Sequence, residues 1–181
     1  MTELILFLIP SAIYFLIQGK RRRLGLLSAA KRLGAIWGTG SAYLWALVLL
    51  IPLGILGYLA IILIPAEALS TPGVSVAKVT SIAAALGVML RALGEEIFFR
   101  GLLGGLLVRR LGFTWGNLLQ SVIFLVPHTL LLLIDASLWP ILPVQFAAGW
   151  LLGWLRNKSG SFLPGALVHA VANIGAGLIA S

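Results

Sequence analysis

Two carboxylates and a guanidinium interrupt an apolar run at residues 94–101, whose sequence is GEEIFFRG. Ionisable groups within an apolar span cost about 2.5–3.5 kcal/mol each on insertion scales, so they normally face a protein interior or a water-filled cavity. Glu96 and Arg100 stand four residues apart, so they share a helix face and can form an ion pair. Glu95 is rotated by about 100° from Glu96. We therefore expect Arg100 to neutralise Glu96 while Glu95 points elsewhere, and a carboxylate without a cation in an apolar pocket is a stronger base, as activation of water requires.

Two further polar pairs repeat the four-residue spacing later in the chain. They are Phe124 and His128 in FLVPH, and His169 and Asn173 in HAVAN. Pro127 removes a backbone hydrogen bond just before His128, which predicts a kink and space beside the imidazole. Each pair alone has a structural explanation, such as an ion-pair clamp or an inter-helix hydrogen bond. Because the three pairs fall in order on separate apolar stretches, with almost no other buried polar groups expected, we interpret them as one functional constellation.

The depth of these residues allows one shared cavity without requiring it. At about 1.5 Å per residue, Glu95 and His128 lie about 21 and 22 Å from the inner ends of their spans. His169 lies about 10 Å from the inner end of its span, so it is predicted to be shallower unless Pro164–Gly165 forms a re-entrant turn.

Composition identifies the elements that must position these groups as membrane-spanning helices. The 181 residues are 60% hydrophobic and 10% charged, and the mean hydropathy is +1.08. A soluble domain carries roughly 25% charged residues. We predict an all-α fold, a polytopic transmembrane helix bundle in one integral membrane domain (1–181), with about six spans of about 20 residues each. These are residues 3–19, 41–64, 76–108, 113–134, 139–155 and 162–180.

The basic residues predict the orientation of this bundle. Ten of the thirteen follow the first, third and fifth spans, namely Lys20, Arg21, Arg22, Arg23, Lys31, Arg32, Arg109, Arg110, Arg156 and Lys158. By the positive-inside rule these loops are cytoplasmic, which places both termini outside. The first span, which lacks a preceding basic region, is expected to be retained rather than cleaved as a signal peptide. Residues 20–40 fit either an amphipathic helix on the inner leaflet or a solvated basic loop.

Several function classes are excluded or disfavoured. There is no cysteine, which rules out disulfides, a thiolate nucleophile and Cys-ligated metal. The net charge of +8 is spread over short loops rather than gathered on one patch, so nucleic acid is not expected as a partner. The chain has no P-loop, HExxH or GxSxG motif, whereas the GxxxG patterns at Gly101/Gly105 and Gly149/Gly153 indicate close helix packing.

The ordered motifs EE-x3-R, F-x3-H and H-x3-N resemble those of the CPBP family of CAAX proteases and bacteriocin-processing enzymes. These are glutamic intramembrane proteases related to the Ras-converting endopeptidase. The resemblance covers about residues 76–180, the CPBP-like protease core, and none of its motif positions departs here. It implies that Glu95 acts as general base on water, with His128 helping to hold and polarise that water. It also implies that His169 and Asn173 donate hydrogen bonds to the oxyanion, supported by Glu96, Arg100 and Phe124.

The expected function is therefore that of an intramembrane endopeptidase, with no cofactor and no metal. Its expected partners are the lipid bilayer and a protein or peptide substrate: a leader peptide, a C-terminal tail or a transmembrane segment. The short chain makes a prenylated substrate less expected and indicates a prokaryotic cytoplasmic (inner) membrane. Two alternatives stay open. One is a metalloprotease, since two His and a Glu can bind Zn²⁺. The other is a non-enzymatic protein, such as an immunity protein, scaffold, chaperone or small transporter.

Overall fold

The computed structural model describes residues 2–21, 25–69, 71, 74 and 79–179, and these are helical apart from their connections. The helices are α1 (Thr2–Arg21), α2 (Gly25–Leu33), α3 (Gly40–Leu63), α4 (Ala66–Leu69), α5 (Ile82–Glu95), α6 (Gly105–Thr129), α7 (Ile141–Ser159) and α8 (Leu163–Ile179). A π-helix (Glu96–Gly104) joins α5 to α6, and two 3-10 turns (Leu130–Leu133 and Ala136–Leu138) precede α7.

The prediction of an all-α, polytopic membrane bundle is confirmed. Three described stretches are long and apolar enough to cross a membrane: Gly40–Leu63, Ile82–Leu133 and Ala136–Ser159. Two shorter apolar helices are Leu4–Lys20 and Leu163–Ile179. Large apolar side chains face outward, as with Ile51 at 65% and Leu133 at 83% exposure. Such a surface is suited to lipid rather than water.

The stretch Ile82–Leu133 is a helical hairpin rather than one helix. It bends at Gly112, whose φ of 76° lies in the left-handed region that favours glycine. A Cβ on Gly116 would lie 2.6 Å from the Val108 backbone, so the two legs approach closely just beyond the turn. This turn separates the third and fourth predicted spans.

The largest boundary error concerns the third span, which was expected to begin at residue 76. Helix α5 begins only at Ile82, after the N-cap Ser81, whose hydroxyl accepts a hydrogen bond from the Ala84 amide at 3.1 Å. The apolar composition predicted the helix but did not show that it begins at this N-cap residue. Residues 76–78 and 180, included in the expected protease core, lie outside the described part of the chain.

The core of the bundle forms where α3, α7 and α8 meet. Leu49 and Leu53 of α3 pack with Leu152 and Leu155 of α7 and with Val168 of α8. Between α6 and α7 the backbones approach at Gly149, where an added Cβ would lie 3.0 Å from Ser121 Cβ. The close packing predicted from the GxxxG pattern of α7 is therefore confirmed.

The predicted basic loops come together at one end of the bundle. Helix α2 forms in the first of them, and its Arg32 carbonyl accepts hydrogen bonds from Arg109 Nη1 at 3.2 Å and from Arg156 Nη2 at 3.3 Å. Residues far apart in sequence thus place their charges on a common side. We call this region, marked by Arg32, Arg109 and Arg156, the basic end. Arg22 and Arg23 lie outside the described residues.

Candidate active site

The EE-x3-R motif lies where α5 changes into the π-helix. Glu95 is the last residue of α5, and Glu96 begins the nine-residue π-helix that contains Arg100. The i→i+5 bonding of a π-helix is rare and is found mostly at functional sites. Here the junction between the two helix types lies between the two glutamates.

Glu96 is fully buried and is held by two partners. Its Oε1 lies 2.8 Å from Arg100 Nη1 and 3.0 Å from His169 Nδ1. Its Oε2 faces Gly165, where an added Cβ would be 3.1 Å away. The ion pair expected from the four-residue spacing is therefore present, and α8 supplies a further contact through His169.

Arg100 is fully buried and links three elements. Besides Glu96, its Nη2 donates to the Ala148 carbonyl of α7 at 3.2 Å. Its Cζ lies 4.1 Å from the centre of the Phe124 ring, a cation–π geometry. Phe124 also contacts His128, with 4.9 Å between the ring centres. The Phe124 ring of the F-x3-H motif thus contacts both the Arg100 guanidinium and the His128 imidazole.

Glu95 is not left without a cation, contrary to expectation. Its Oε1 lies 3.1 Å from Arg91 Nε, one helical turn earlier, and its Oε2 lies 3.6 Å from His169 Nε2. The physical reason is the i, i+4 rule that also pairs Glu96 with Arg100. Arg91 is therefore a site residue that the sequence interpretation did not place. His169 lies between the two carboxylates.

His128 is oriented by its own helix. Its Nδ1 is 2.9 Å from the Phe124 carbonyl, and because a carbonyl oxygen can only accept, Nδ1 carries the proton. In a neutral ring Nε2 then has a free lone pair that can accept a hydrogen bond. Helix α6 continues through Pro127 to Thr129 and becomes a 3-10 turn immediately afterwards.

A cavity of about 400 Å³ collects the polar groups of all three motifs. Glu95, His128, His169 and Asn173 line it, and most of its remaining wall is apolar. The lining does not include Glu96, Arg100 or Phe124. Glu96 and Arg100 nevertheless contact residues that line the cavity. The arrangement presents a carboxylate, two imidazoles and a carboxamide to one cavity.

His169 is not shallower than the glutamates, since it contacts both of them. The depth calculation assumed a constant α-helical rise from Glu95 to the inner end of the span. The nine-residue π-helix that follows Glu95 departs from that constant rise, since its bonds run from i to i+5. The peptide amide of Phe162, just before α8, also donates to the Gly34 carbonyl at 3.1 Å, which fixes the start of α8.

The expectation of almost no other buried polar groups was wrong. Asn117, Gln120 and Ser121 are buried on α6 and form their own network. Gln120 Nε2 donates to the Gly149 carbonyl at 2.7 Å, and Asn117 Nδ2 donates to the Trp150 carbonyl at 3.1 Å. These bonds join α6 to α7. Their i, i+3 and i, i+4 spacing was a readable signal of one polar helix face.

Gln145 of α7 also lines the cavity, and the sequence interpretation had not singled it out.

Within the described residues no three His, Asp or Glu side chains are arranged to hold a metal ion. Glu96 already contacts Arg100 and His169, and His128 Nδ1 already bonds Phe124.

Comparison with known proteins gives one match. Residues 77–175, more than half of the chain, match the family described as "Type II CAAX prenyl endopeptidase Rce1-like". No curated protein and no solved structure matches significantly. The matched region begins close to α5 and ends within α8, so it contains all the motif residues.

Proposed function

Because this chain belongs to the Rce1-like family of type II CAAX prenyl endopeptidases, we propose that it is an intramembrane endopeptidase in which Glu95 activates water for attack on a peptide bond. The family is one of peptidases, so the substrate is a protein or peptide met at the membrane. The observation that carries the glutamate mechanism is that Glu95, His128, His169 and Asn173 line one cavity.

The two glutamates have different roles in this proposal. Glu96 contacts Arg100 at 2.8 Å and His169 at 3.0 Å and is fully buried, so it positions other groups. Glu95 reaches the cavity and keeps one oxygen, Oε2, directed towards His169 Nε2 at 3.6 Å. Arg91 fixes Oε1 of the same carboxylate. Glu95 is thus the carboxylate that is both oriented and open to a substrate.

In the proposed reaction Glu95 takes a proton from water as the water oxygen bonds to the scissile carbonyl carbon. His128 Nε2 accepts a hydrogen bond from the second water hydrogen, which stays on the water oxygen and orients the attacking lone pair. The carbonyl oxygen becomes an oxyanion. The protonated Glu95 then gives its proton to the amide nitrogen as the C–N bond breaks, which releases an amine and a carboxylic acid and balances the step.

We propose that the oxyanion is stabilised by Asn173 and His169, which differ in the protonation state that each needs in order to donate a hydrogen bond. The Asn173 amide can donate in any protonation state. His169 Nδ1 lies 3.0 Å from Glu96, so a neutral ring that donates there has only a lone pair at Nε2. Its donation to an oxyanion requires a doubly protonated ring. Asn173 is therefore the more direct donor of the two.

Domain limits and orientation complete the proposal. Residues 1–181 form one membrane domain whose protease core is 76–180, and the basic end faces the cytoplasm by the positive-inside rule. Both termini then lie outside. A prokaryotic inner membrane stays a prediction.

The test is cleavage of a fluorogenic peptide library by purified protein in detergent. The library should contain C-terminal peptides with and without a prenyl group, and each assay should be repeated with a chelator. Loss of cleavage in Glu95→Gln, unaffected by chelator in the wild type, supports the mechanism. Full activity in Glu95→Gln, or dependence on metal, contradicts it. Asn173→Ala, which removes the carboxamide donor, is expected to lower kcat by about 10²–10³.

A further inference from the structure

A second cavity, of about 150 Å³, lies at the basic end of the bundle. Three arginines and three carboxamides line it, namely Arg100, Arg109, Arg156, Asn117, Gln120 and Asn157. Its remaining lining residues are glycines and a valine, and no acidic side chain is among them. Arg100 also contacts Glu96, so it stands between this basic cavity and the catalytic residues.

Buried polar atoms around the basic cavity have no partner among the described residues. They include Nε of Arg100, Nε of Arg156 and Oε1 of Gln120. Arg100 is fully buried. Nearly all buried polar groups in proteins are hydrogen-bonded, so such orphaned donors and acceptors indicate a missing partner. Two cationic donors beside one neutral acceptor would match a ligand that carries both an anionic oxygen and a hydroxyl group.

The charges of the cavity are also unbalanced. Arg109 and Arg156 donate to the same Arg32 carbonyl, at 3.2 and 3.3 Å, so two like charges are held close together. Neither forms an ion pair with a carboxylate in the part of the chain that the structure describes. Arg100 already has Glu96 at 2.8 Å. A bound anion would offset the repulsion between the other two guanidinium groups.

The surroundings of the cavity indicate the kind of anion. Arg109 and Asn157 are exposed, so the cavity is open at the bundle surface. In the adjoining hairpin, Leu111 is 48% and Trp115 is 68% exposed, which provides an apolar surface for acyl chains. Arginine matches the geometry of phosphate oxygens, and basic pockets between membrane helices on the cytoplasmic side bind lipid headgroups.

We propose that the basic cavity binds the phosphate of an anionic phospholipid with a hydroxylated headgroup. The phosphate contacts the arginines, and a headgroup hydroxyl donates to Gln120 Oε1. Free inorganic phosphate has the same central chemistry and is the other source that the experiment must distinguish. The proposal does not depend on peptidase activity.

The experiment measures lipid retention by native mass spectrometry. The protein is taken from nanodiscs of phosphatidylcholine, with or without phosphatidylglycerol. The wild type is expected to retain one phosphatidylglycerol. Asn157→Asp puts a negative charge at the exposed rim, and Arg109→Gln removes a lining cation. Each variant should weaken retention by about tenfold or more, because a charge-assisted contact is lost or opposed.

Arg110→Gln is the matched control, because Arg110 is the exposed neighbour of Arg109 and does not line the cavity. It lowers the net charge by one, as the other two variants do, and should retain lipid within about twofold of the wild type. Unfolding temperatures of Asn157→Asp and the wild type in pure phosphatidylcholine should agree, which shows that weaker retention is not misfolding. Equal loss in Asn157→Asp, Arg109→Gln and Arg110→Gln would mean a diffuse charge effect and would overturn the proposal.

A parallel titration with inorganic phosphate in detergent separates the two sources. Retention of phosphatidylglycerol without a stabilising effect of millimolar phosphate supports the lipid. Stabilisation by inorganic phosphate that Arg109→Gln abolishes, without retained lipid, overturns the lipid proposal in favour of a free phosphate ion. Absence of both effects in the wild type overturns the site altogether.

Discussion

The buried ion pair between Glu96 and Arg100 gives the sharpest test of how the site is held together. Both side chains are fully buried, and Arg100 Nη1 lies 2.8 Å from Glu96 Oε1. The substitution Arg100→Met keeps an unbranched chain but removes the cation, the hydrogen bond to the Ala148 carbonyl and the contact with Phe124. Glu96 would then be a buried charge without its cation. Breaking such a pair costs about 3–5 kcal/mol, and we expect Arg100→Met to destabilise the protein by that amount.

A double-mutant cycle with Glu96→Gln isolates the pair itself. The double variant has no uncompensated charge, so its cost should be about 2–3 kcal/mol less than the sum of the two single costs. The assay is reversible unfolding in mixed micelles of mild detergent and dodecyl sulfate, followed by the fluorescence of the six tryptophans.

Arg91→Met is the matched control for this cycle. It makes the same chemical change in the other i, i+4 pair, but the Arg91 side chain is 36% exposed. Because Arg91 keeps access to solvent while Glu95 is only 8% exposed, the cost should be smaller than that of Arg100→Met, whose two partners are both fully buried. A cost of about 1 kcal/mol or less for Arg100→Met, or strict additivity in the cycle, would refute the view that this pair anchors the motif helix.

Two further predictions concern the packing of α6 on α7 and the role of the imidazole. Gly149→Ala would place a Cβ 3.0 Å from Ser121 Cβ, and overpacking of this kind costs about 1–3 kcal/mol. The same change at Gly54, which has no atom within 4 Å of an added Cβ, should be neutral or stabilising by up to about 1 kcal/mol; equal unfolding midpoints for the two variants would contradict this packing. His128→Ala should lower kcat by about 10²–10⁴ with little change in stability, because its Nδ1 bonds the Phe124 carbonyl of its own helix; a kcat within about threefold of the wild type would exclude His128 from the reaction.

Local spacing predicted those parts of the site that lie within one helical turn. Glu96 and Arg100 pair as the i, i+4 rule indicates, and the same rule applied to Arg91 and Glu95 would have found the second pair. The sequence interpretation assigned Arg91 no particular partner. The i, i+3 and i, i+4 spacing of Asn117, Gln120 and Ser121 was likewise available and was set aside as apolar sequence.

Contacts between distant helices were not readable in the same way. The bond between Glu96 and His169 joins residues 73 positions apart, and it depends on how α8 is placed against α5. The π-helix had no sequence signal, since its glycines fit an α-helical packing motif equally well. It interrupts the constant α-helical rise from which the depth of Glu95 was calculated, and the position of His169 beside both glutamates depends on tertiary contacts.

The polytopic helical pattern could be predicted because apolar length and basic loops both depend on the bilayer rather than on packing. Arg109 and Arg110 marked a basic turn within the long stretch Ile82–Leu133, and the structure makes that turn at Gly112. The start of α5 at Ile82 depended instead on a single capping hydroxyl, that of Ser81.

The most direct test of the central claim compares Glu95→Gln with the wild type in cleavage of one identified peptide. Unfolding is measured on the same samples. If Glu95 is the general base, cleavage falls by at least about 10², the variant still unfolds cooperatively because Gln keeps the size of the side chain and an oxygen that can accept from Arg91, and chelator has no effect on the wild type. Cleavage by Glu95→Gln at the wild-type rate, from protein equally well folded, would show that another group activates water and would contradict the account.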